Sequence, residues 1–344
     1  MSLFLPFVSQ EQGTPPSEQT ETPSEQAEVP PEPPEATSDE TSDEGFRIGV
    51  AVDQVFLSVS ARAVRGGFVR DLTREDFRVY ENDRLQEIVN FYSERVPVQV
   101  VLLIDASGST RHSQAEIRRA ALRFVESLGE DDEFAVITFN HQPRLILNWS
   151  GEYERVKTAL ESIYARGNTV FYDALYVTFD DLLRGVRGKS AVILLTDGID
   201  TGSMVSFDES MDLALRSGSI VYVVSKLEEY WAGAIGYRQQ LQSQSRMIPK
   251  ELTDSFILEQ KRALNRLANL TGGTVLDTRA FSDLTDVYAQ VAEELKNQYY
   301  VSYIPTNEAK DGTWREVRVE VSRGGVAVAT RRGYFAEGAV PPAN

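Results

Sequence analysis

The sequence predicts an α/β fold, in which a doubly wound, mainly parallel sheet is inserted into a small β-sandwich built from both flanks. Three observations lead there. Near-continuous apolar runs at Val98–Ile104, Phe134–Phe139, Ala191–Leu195, Ile220–Val224 and Thr274–Leu276 read as strands buried on both faces. Between them, apolar residues recur at three- and four-residue spacing, as in helices that cover such a sheet. On either side the pattern changes to strict alternation, the mark of half-buried strands.

In chain order, Gln10 to Gly45 is rich in Pro, Glu, Ser and Thr and poor in large apolar residues. Such a stretch cannot bury enough surface to offset its chain entropy, so residues 1–45 are expected to be a disordered acidic spacer. In residues 46–95, Val55, Leu57, Val59 and Ala61 alternate with Phe56, Ser58, Ser60 and Arg62. Gly66-Gly67 marks a turn, and Asn82-Asp83 marks a hairpin between the Phe77–Val79 strand and Ile88–Phe91. In residues 96–298, Ile117, Ala120, Ala121, Phe124, Val125 and Leu128 form a helical stripe, with Ser113 and Glu116 as a capping box and Gly129 as its stop. Tyr153 to Ile163 and Leu284 to Leu295 repeat the helical period, and Arg144–Trp149 reads as an antiparallel edge strand. In residues 299–337, Val317, Val319 and Val321 alternate with charged and polar neighbours, and Gly324-Gly325 turns the chain into Val326–Phe335. Each flank alone is too short for a sandwich, which usually needs about 100 residues and seven strands, so the two are expected to pair. Residues 338–344 form a tail.

Composition narrows the function. The chain has no cysteine, which excludes disulfides, thiol catalysis and thiolate metal sites. Its histidines are His112 and His141, too few for a histidine-rich centre. A net charge of −17 argues against a nucleic-acid partner, which needs a basic face. The charge is uneven: residues 11–44 hold eleven carboxylates, and no Lys or Arg precedes Arg47. No apolar run reaches the roughly 18 residues of a membrane helix. Met1–Val8 is apolar but lacks a basic lead, and reads either as the end of a signal peptide or as a stub without a role.

The chemistry concentrates at strand ends. Val98–Ile104 runs into Asp105-Ala106-Ser107-Gly108-Ser109 and then a helix. That puts a carboxylate and two hydroxyls at the carboxyl end of a central parallel strand, where open α/β sheets bind ligands. Arg166-Gly167-Asn168-Thr169 adds a third hydroxyl ahead of another helical stretch, Phe171–Leu183. The buried run Ala191–Leu195 ends in Thr196-Asp197-Gly198, a second carboxylate at the same edge. These are hard oxygen donors, which suit Mg²⁺, then Mn²⁺ or Ca²⁺. The alternative is that Ser107 and Ser109 cap a helix and Asp105 fixes a turn. Asp200 reads as a solvated loop carboxylate that could tune the ion's surroundings, and Asp173 as a helix cap or a neighbour of the site.

With these residues in place, the chain resembles a von Willebrand factor A domain with its metal-ion-dependent adhesion site, over about Val98 to Asn297. The matching positions are Asp105, Ser107, Ser109, Thr169 and Asp197. The flanks resemble a bacterial subgroup of that family, through Asp71-Leu72-Thr73-Arg74-Glu75-Asp76-Phe77, Tyr303-Ile304-Pro305-Thr306 and Arg332-Gly333-Tyr334. The resemblance implies that Ser107, Ser109 and Thr169 contact the ion and that the two Asp act often through water. It also implies a protein partner that presents a Glu or Asp, and export from a bacterial cell. Neutral hydroxyls leave a cation underneutralised, so that an open position attracts an outside carboxylate.

Residues 227–253 read as a long connection leaving the same sheet edge, with Tyr230, Trp231 and Tyr237 as candidate partner contacts or local packing. His112 reads as solvent-facing at a helix start, and His141 as a turn residue. The expected function is metal-dependent protein binding without chemistry of its own. A structural scaffold with a degenerate site is the alternative. A Mg²⁺-dependent hydrolase is a third, but no nucleophile–base pair, phosphate-binding loop or basic clamp supports it.

Overall fold

The computed structural model describes residues 54–278 and 284–336. The expected acidic spacer, the apolar start and the tail 338–344 lie outside the described residues. Along the chain the strands are β1 (Val55–Ala63), β2 (Phe77–Glu81), β3 (Arg84–Gln86), β4 (Ile88–Tyr92), β5 (Val98–Asp105), β6 (Glu133–Phe139), β7 (Pro143–Ser150), β8 (Lys189–Thr196), β9 (Ile220–Ser225), β10 (Val275–Asp277), β11 (Gln298–Tyr303), β12 (Trp314–Val321), β13 (Val326–Ala329) and β14 (Gly333–Phe335). The helices are α1 (Gln114–Ser127), α2 (Tyr153–Glu161), α3 (Phe171–Val177), α4 (Phe207–Ser217), α5 (Leu227–Ser243), α6 (Asp254–Thr271) and α7 (Leu284–Lys296).

Six strands form the central sheet in the order β10-β9-β8-β5-β6-β7. All neighbours are parallel except β6 and β7, so the expected antiparallel edge strand is present. Alternate residues of β5 point to opposite faces. Val100, Leu102 and Ile104 join α1, α2 and α7 in one core layer. Val101 and Leu103 join α3, α4 and α6 in the other. Every residue of β8 is buried, which is why its apolar run carries no alternation. From β5 the chain proceeds to β6 on one side and later to β8 on the other. This reversal of strand order opens a crevice at the carboxyl ends of β5 and β8.

The flanks pair into two four-stranded sheets, β13-β1-β11-β4 and β14-β12-β2-β3, each drawing strands from both ends of the chain. Leu57, Val59, Phe77, Val79, Val301, Val317 and Val319 fill the space between them. The Asp71–Phe77 segment is an anchored turn. Thr73 N–H donates to Asp76 Oδ2 at 2.8 Å, and Leu72 N–H donates to the Tyr299 hydroxyl at 3.0 Å.

Four local expectations are corrected. Asn82 and Asp83, both at positive φ, turn β2 into β3, whereas Ile88–Tyr92 crosses to the other sheet. The run Val326–Phe335 likewise divides between the sheets as β13 and β14. The α1 capping box does not form. A 3-10 turn over Gly108–Ser113 precedes the helix, and the two side chains bond elsewhere, Ser113 Oγ accepting from Lys226 Nζ (2.6 Å) and Glu116 Oε1 from Leu284 N–H (3.2 Å). The stretch 227–253 is mostly the 17-residue helix α5, not a loop. Its apolar residues are spread around the axis and Gly233 and Gly236 interrupt them, so no stripe marks it.

Candidate metal centre

The register of the sheet assembles the centre. β5 and β8 pair with Ile104 opposite Leu195, so Asp105 ends one strand level with Thr196, and Asp197 follows at once. Asp105 and Asp197 are both buried. Asp105 Oδ1 accepts from the Ser107 N–H at 2.8 Å, and its Oδ2 accepts from Thr196 Oγ1 at 3.3 Å. The Ser107 and Ser109 hydroxyls lie 2.9 Å apart, and Ser109 Oγ donates to Asp197 Oδ2 at 2.8 Å. Asp197 Oδ1 accepts from the Ile199 N–H at 3.0 Å. Four of the five expected residues thus form one hydrogen-bonded chain across adjacent strand ends.

Thr169 arrives on a neighbouring loop through backbone bonds. Arg166 N–H donates to Ala106 O (2.8 Å), and Gly108 N–H donates to Gly167 O (3.1 Å). Thr169 itself is buried. Its N–H donates to Thr201 Oγ1 at 3.0 Å, and its carbonyl accepts from the Thr201 N–H at 2.9 Å. Gly198 allows the turn after Asp197. It sits at φ +77°, and a Cβ there would lie 2.9 Å from Leu264 Cδ1.

The electrostatics are set by burial. Loss of solvent, then the Asp197 charge, pushes the Asp105 carboxyl up to about 7, against the bonds from Ser107 and Thr196. Burial raises Asp197 as well, opposed by its hydrogen bonds and by the Lys226 ammonium. Two buried carboxylates in one hydrogen-bonded chain are thus short of positive charge. Among the described residues no group of three or more His, Asp or Glu could hold a metal. The donors available here are two carboxylates and three hydroxyls, a hard set that fits Mg²⁺, Mn²⁺ or Ca²⁺.

Several supporting residues carry no signal in the sequence. Thr110 is buried and donates to the carbonyls of Asp105 and Ser107, both at 3.0 Å, which fixes the loop. Lys226, at the end of β9, bonds Ser113 Oγ and pairs with Glu229 at 3.0 Å. Asp200 is not a free loop carboxylate. Its Oδ1 accepts from the Phe171 N–H at 2.8 Å and its Oδ2 from the Ser203 N–H at 3.1 Å, so it holds the start of α3. Asp173 accepts from the N–H groups of Met204 and Val205, at 2.9 and 3.0 Å.

The aromatic candidates separate. Tyr230 and Trp231 lean on the core layer of α3, α4 and α6. The Tyr230 hydroxyl is pushed up by burial and then by the Asp197 and Glu251 charges. Arg238 covers the Trp231 ring at 4.8 Å, and Tyr237 is 55% exposed. His112 and His141 are exposed, His141 in the three-residue loop between β6 and β7. Among the described residues no helix is long and apolar enough to cross a membrane.

Residues 100–199 match the von Willebrand factor type A domain. An uncharacterised protein of Synechocystis sp. is 30% identical over 115 residues, covering 31% of this chain and 26% of that protein. Inter-alpha-trypsin inhibitor heavy chain H4 of Sus scrofa is 29% identical over 117 residues, covering 31% of this chain and 13% of its own. The chain therefore spans about a quarter of one curated relative and about an eighth of the other. Among solved structures, a von Willebrand factor type A protein from Catenulispora acidiphila aligns with 80% of this chain and 71% of its own. That alignment has 13% identity and a TM-score of 0.42.

Proposed function

We propose that this chain is a divalent-metal-dependent protein-binding module, serving adhesion or assembly outside the cytoplasm of a bacterium. Asp105, Ser107, Ser109, Thr169 and Asp197 would hold one Mg²⁺, or Mn²⁺ or Ca²⁺. The observation that carries the reading is the convergence of two buried carboxylates and a chain of hydroxyls at the β5/β8 crevice, with Lys226 as the neighbouring cation. The bound cation supplies an open position that attracts a carboxylate oxygen. The residues of the chain do the rest. Asp105 and Asp197 bring negative charge, the three hydroxyls add dipoles without charge, and Thr110 and Thr196 keep the loop in place. The partner is a protein that presents a Glu or Asp, and the chain performs no chemistry of its own.

The test is affinity capture on the immobilised protein. Partners retained in Mg²⁺ should elute with chelator and be missing from an Asp105→Ala column. Retention that chelator leaves unchanged would overturn the reading. A scaffold that holds no ion is favoured by one observation, the Ser107–Ser109–Asp197 bonds that already satisfy the hydroxyls. Retention indifferent to both metal and Asp105→Ala would select it.

A further inference from the structure

Three loops meet around the centre on the side of β6 and β7, and the backbone fixes their meeting. Residues 166–167 bond residues 106–108, and Val170 N–H donates to Asn140 O at 2.8 Å. A Cβ on Gly167 would lie 3.8 Å from His141 Nδ1. Residues 106–112, 140–144 and 164–170 contain no Asp or Glu, in a chain of net charge −17. They carry Arg111, His112, His141, Arg144 and Arg166, all exposed. None of the five forms an ion pair among the described residues, and the Arg144 guanidinium meets only the Gln142 side-chain amide, at 2.9 and 3.0 Å.

The opposite flank differs. Three of its carboxylates are engaged: Asp200 with backbone N–H groups, Glu229 with Lys226 and the Thr278 hydroxyl, Glu228 with Lys261 at 2.8 Å. The rim is therefore electrically one-sided. Arg111, Arg144 and Arg166 thus form an unpaired cationic arc on loops that meet beside a centre whose neighbouring cation is Lys226. Such an arc has no folding role among these contacts, and it attracts and orients an approaching anion.

We infer that the partner segment is acidic, with further Asp or Glu residues beside the carboxylate that meets the centre, lying toward Arg111, Arg144 and Arg166. The inference rests on the metal-binding reading and names its partner's chemistry. A single carboxylate satisfies the centre alone, whereas adjacent carboxylates reach the cationic arc. The arc thereby selects among the many proteins that display a Glu or Asp.

The probes are two labelled synthetic peptides of equal length, one with a single Glu among Gly and Ser, the other with that Glu flanked by Asp. Binding to the full chain is read by fluorescence anisotropy in Mg²⁺ and in chelator. Exposed charge pairs are individually weak, so two or three of them predict an about five- to tenfold preference for the acidic peptide. The preference should shrink to about twofold or less in the Arg111→Ser/Arg166→Ser variant and in high salt. Its melting temperature should match wild type, because both side chains are exposed. Equal Mg²⁺-dependent affinities for the two peptides overturn the inference and leave the metal reading standing. An acidic preference that survives in chelator supports the cationic arc and overturns the metal reading. Binding of neither peptide overturns both. Tighter binding of a sulfated glycan fragment than of the acidic peptide, independent of metal, overturns the choice of a protein partner.

Discussion

Asp105 shows how the sheet sets the chemistry of a single residue. In solution its carboxyl would lose its proton near 3.9. In the fold, burial and the Asp197 charge hold that proton up to about 7. Between those values the folded state binds more protons than the unfolded state, so stability falls as pH rises through the window and the loss is complete above about 7. In chelator, the melting temperature should therefore drop from pH 5 to pH 8, by the equivalent of a few kcal/mol at most. Asp105→Asn should flatten that slope. If the centre holds Mg²⁺ as proposed, the ion and protons would compete for the same oxygens, and titration calorimetry should find Mg²⁺ affinity falling as pH drops below about 7. The Asp105-x-Ser-x-Ser spacing is legible because it follows a buried strand directly, so its place at the sheet edge needs only the strand. Thr110, Thr196, Thr201 and Lys226 are not legible. They are ordinary residues whose roles appear only when strand ends remote in sequence meet.

Elements divide by how their burial is patterned. β5, β6, β8 and β9 are buried on both faces and announce themselves as apolar runs, and α1, α2 and α7 show a single apolar stripe. α5 shows neither, since only Leu227 and Leu241 are buried along its length. Its one-sided contact still orders its aromatics. Trp231→Ala should destabilise by about 1–2 kcal/mol, because the ring is half-buried against the core. Tyr237→Ala, at an exposed ring, should stay within about 0.5 kcal/mol. Denaturant titration of both variants checks the contrast. Gly198→Ala forces a side chain into a positive-φ turn against Leu264 and should cost about 1–3 kcal/mol. That turn carries Asp197, so the same variant should also weaken Mg²⁺ binding. The missing α1 capping box belongs at this scale too. Ser113 and Glu116 have the right spacing, but the 3-10 turn that carries Ser109 hands them to Lys226 and to the start of α7.

At the scale of the whole molecule, the sandwich and the central sheet share one framework. Asn297 alone separates α7 from β11. Glu294 of α7 pairs with Arg62 of β1 at 2.7 Å and accepts from Ser60 Oγ at 3.2 Å. Arg332, between β13 and β14, donates its N–H to Leu270 O in α6 at 3.0 Å. These ties predict one cooperative thermal transition for both parts, and a loss of about 2 kcal/mol in Glu294→Ala, where a largely buried pair is broken. Two resolved calorimetric transitions would contradict that. The pairing of the flanks was readable because neither is long enough to stand alone, whereas the split of Val326–Phe335 between two sheets was not, since alternation does not report which sheet a strand joins. The most direct test of the central claim is the melting temperature in chelator and then in rising Mg²⁺, for wild type and Asp105→Ala. An ion that binds only the folded state, at 100 times its dissociation constant, adds about 2.7 kcal/mol. A rise in wild type and none in Asp105→Ala is the predicted result. No rise in wild type, with Mn²⁺ and Ca²⁺ equally without effect, would contradict it.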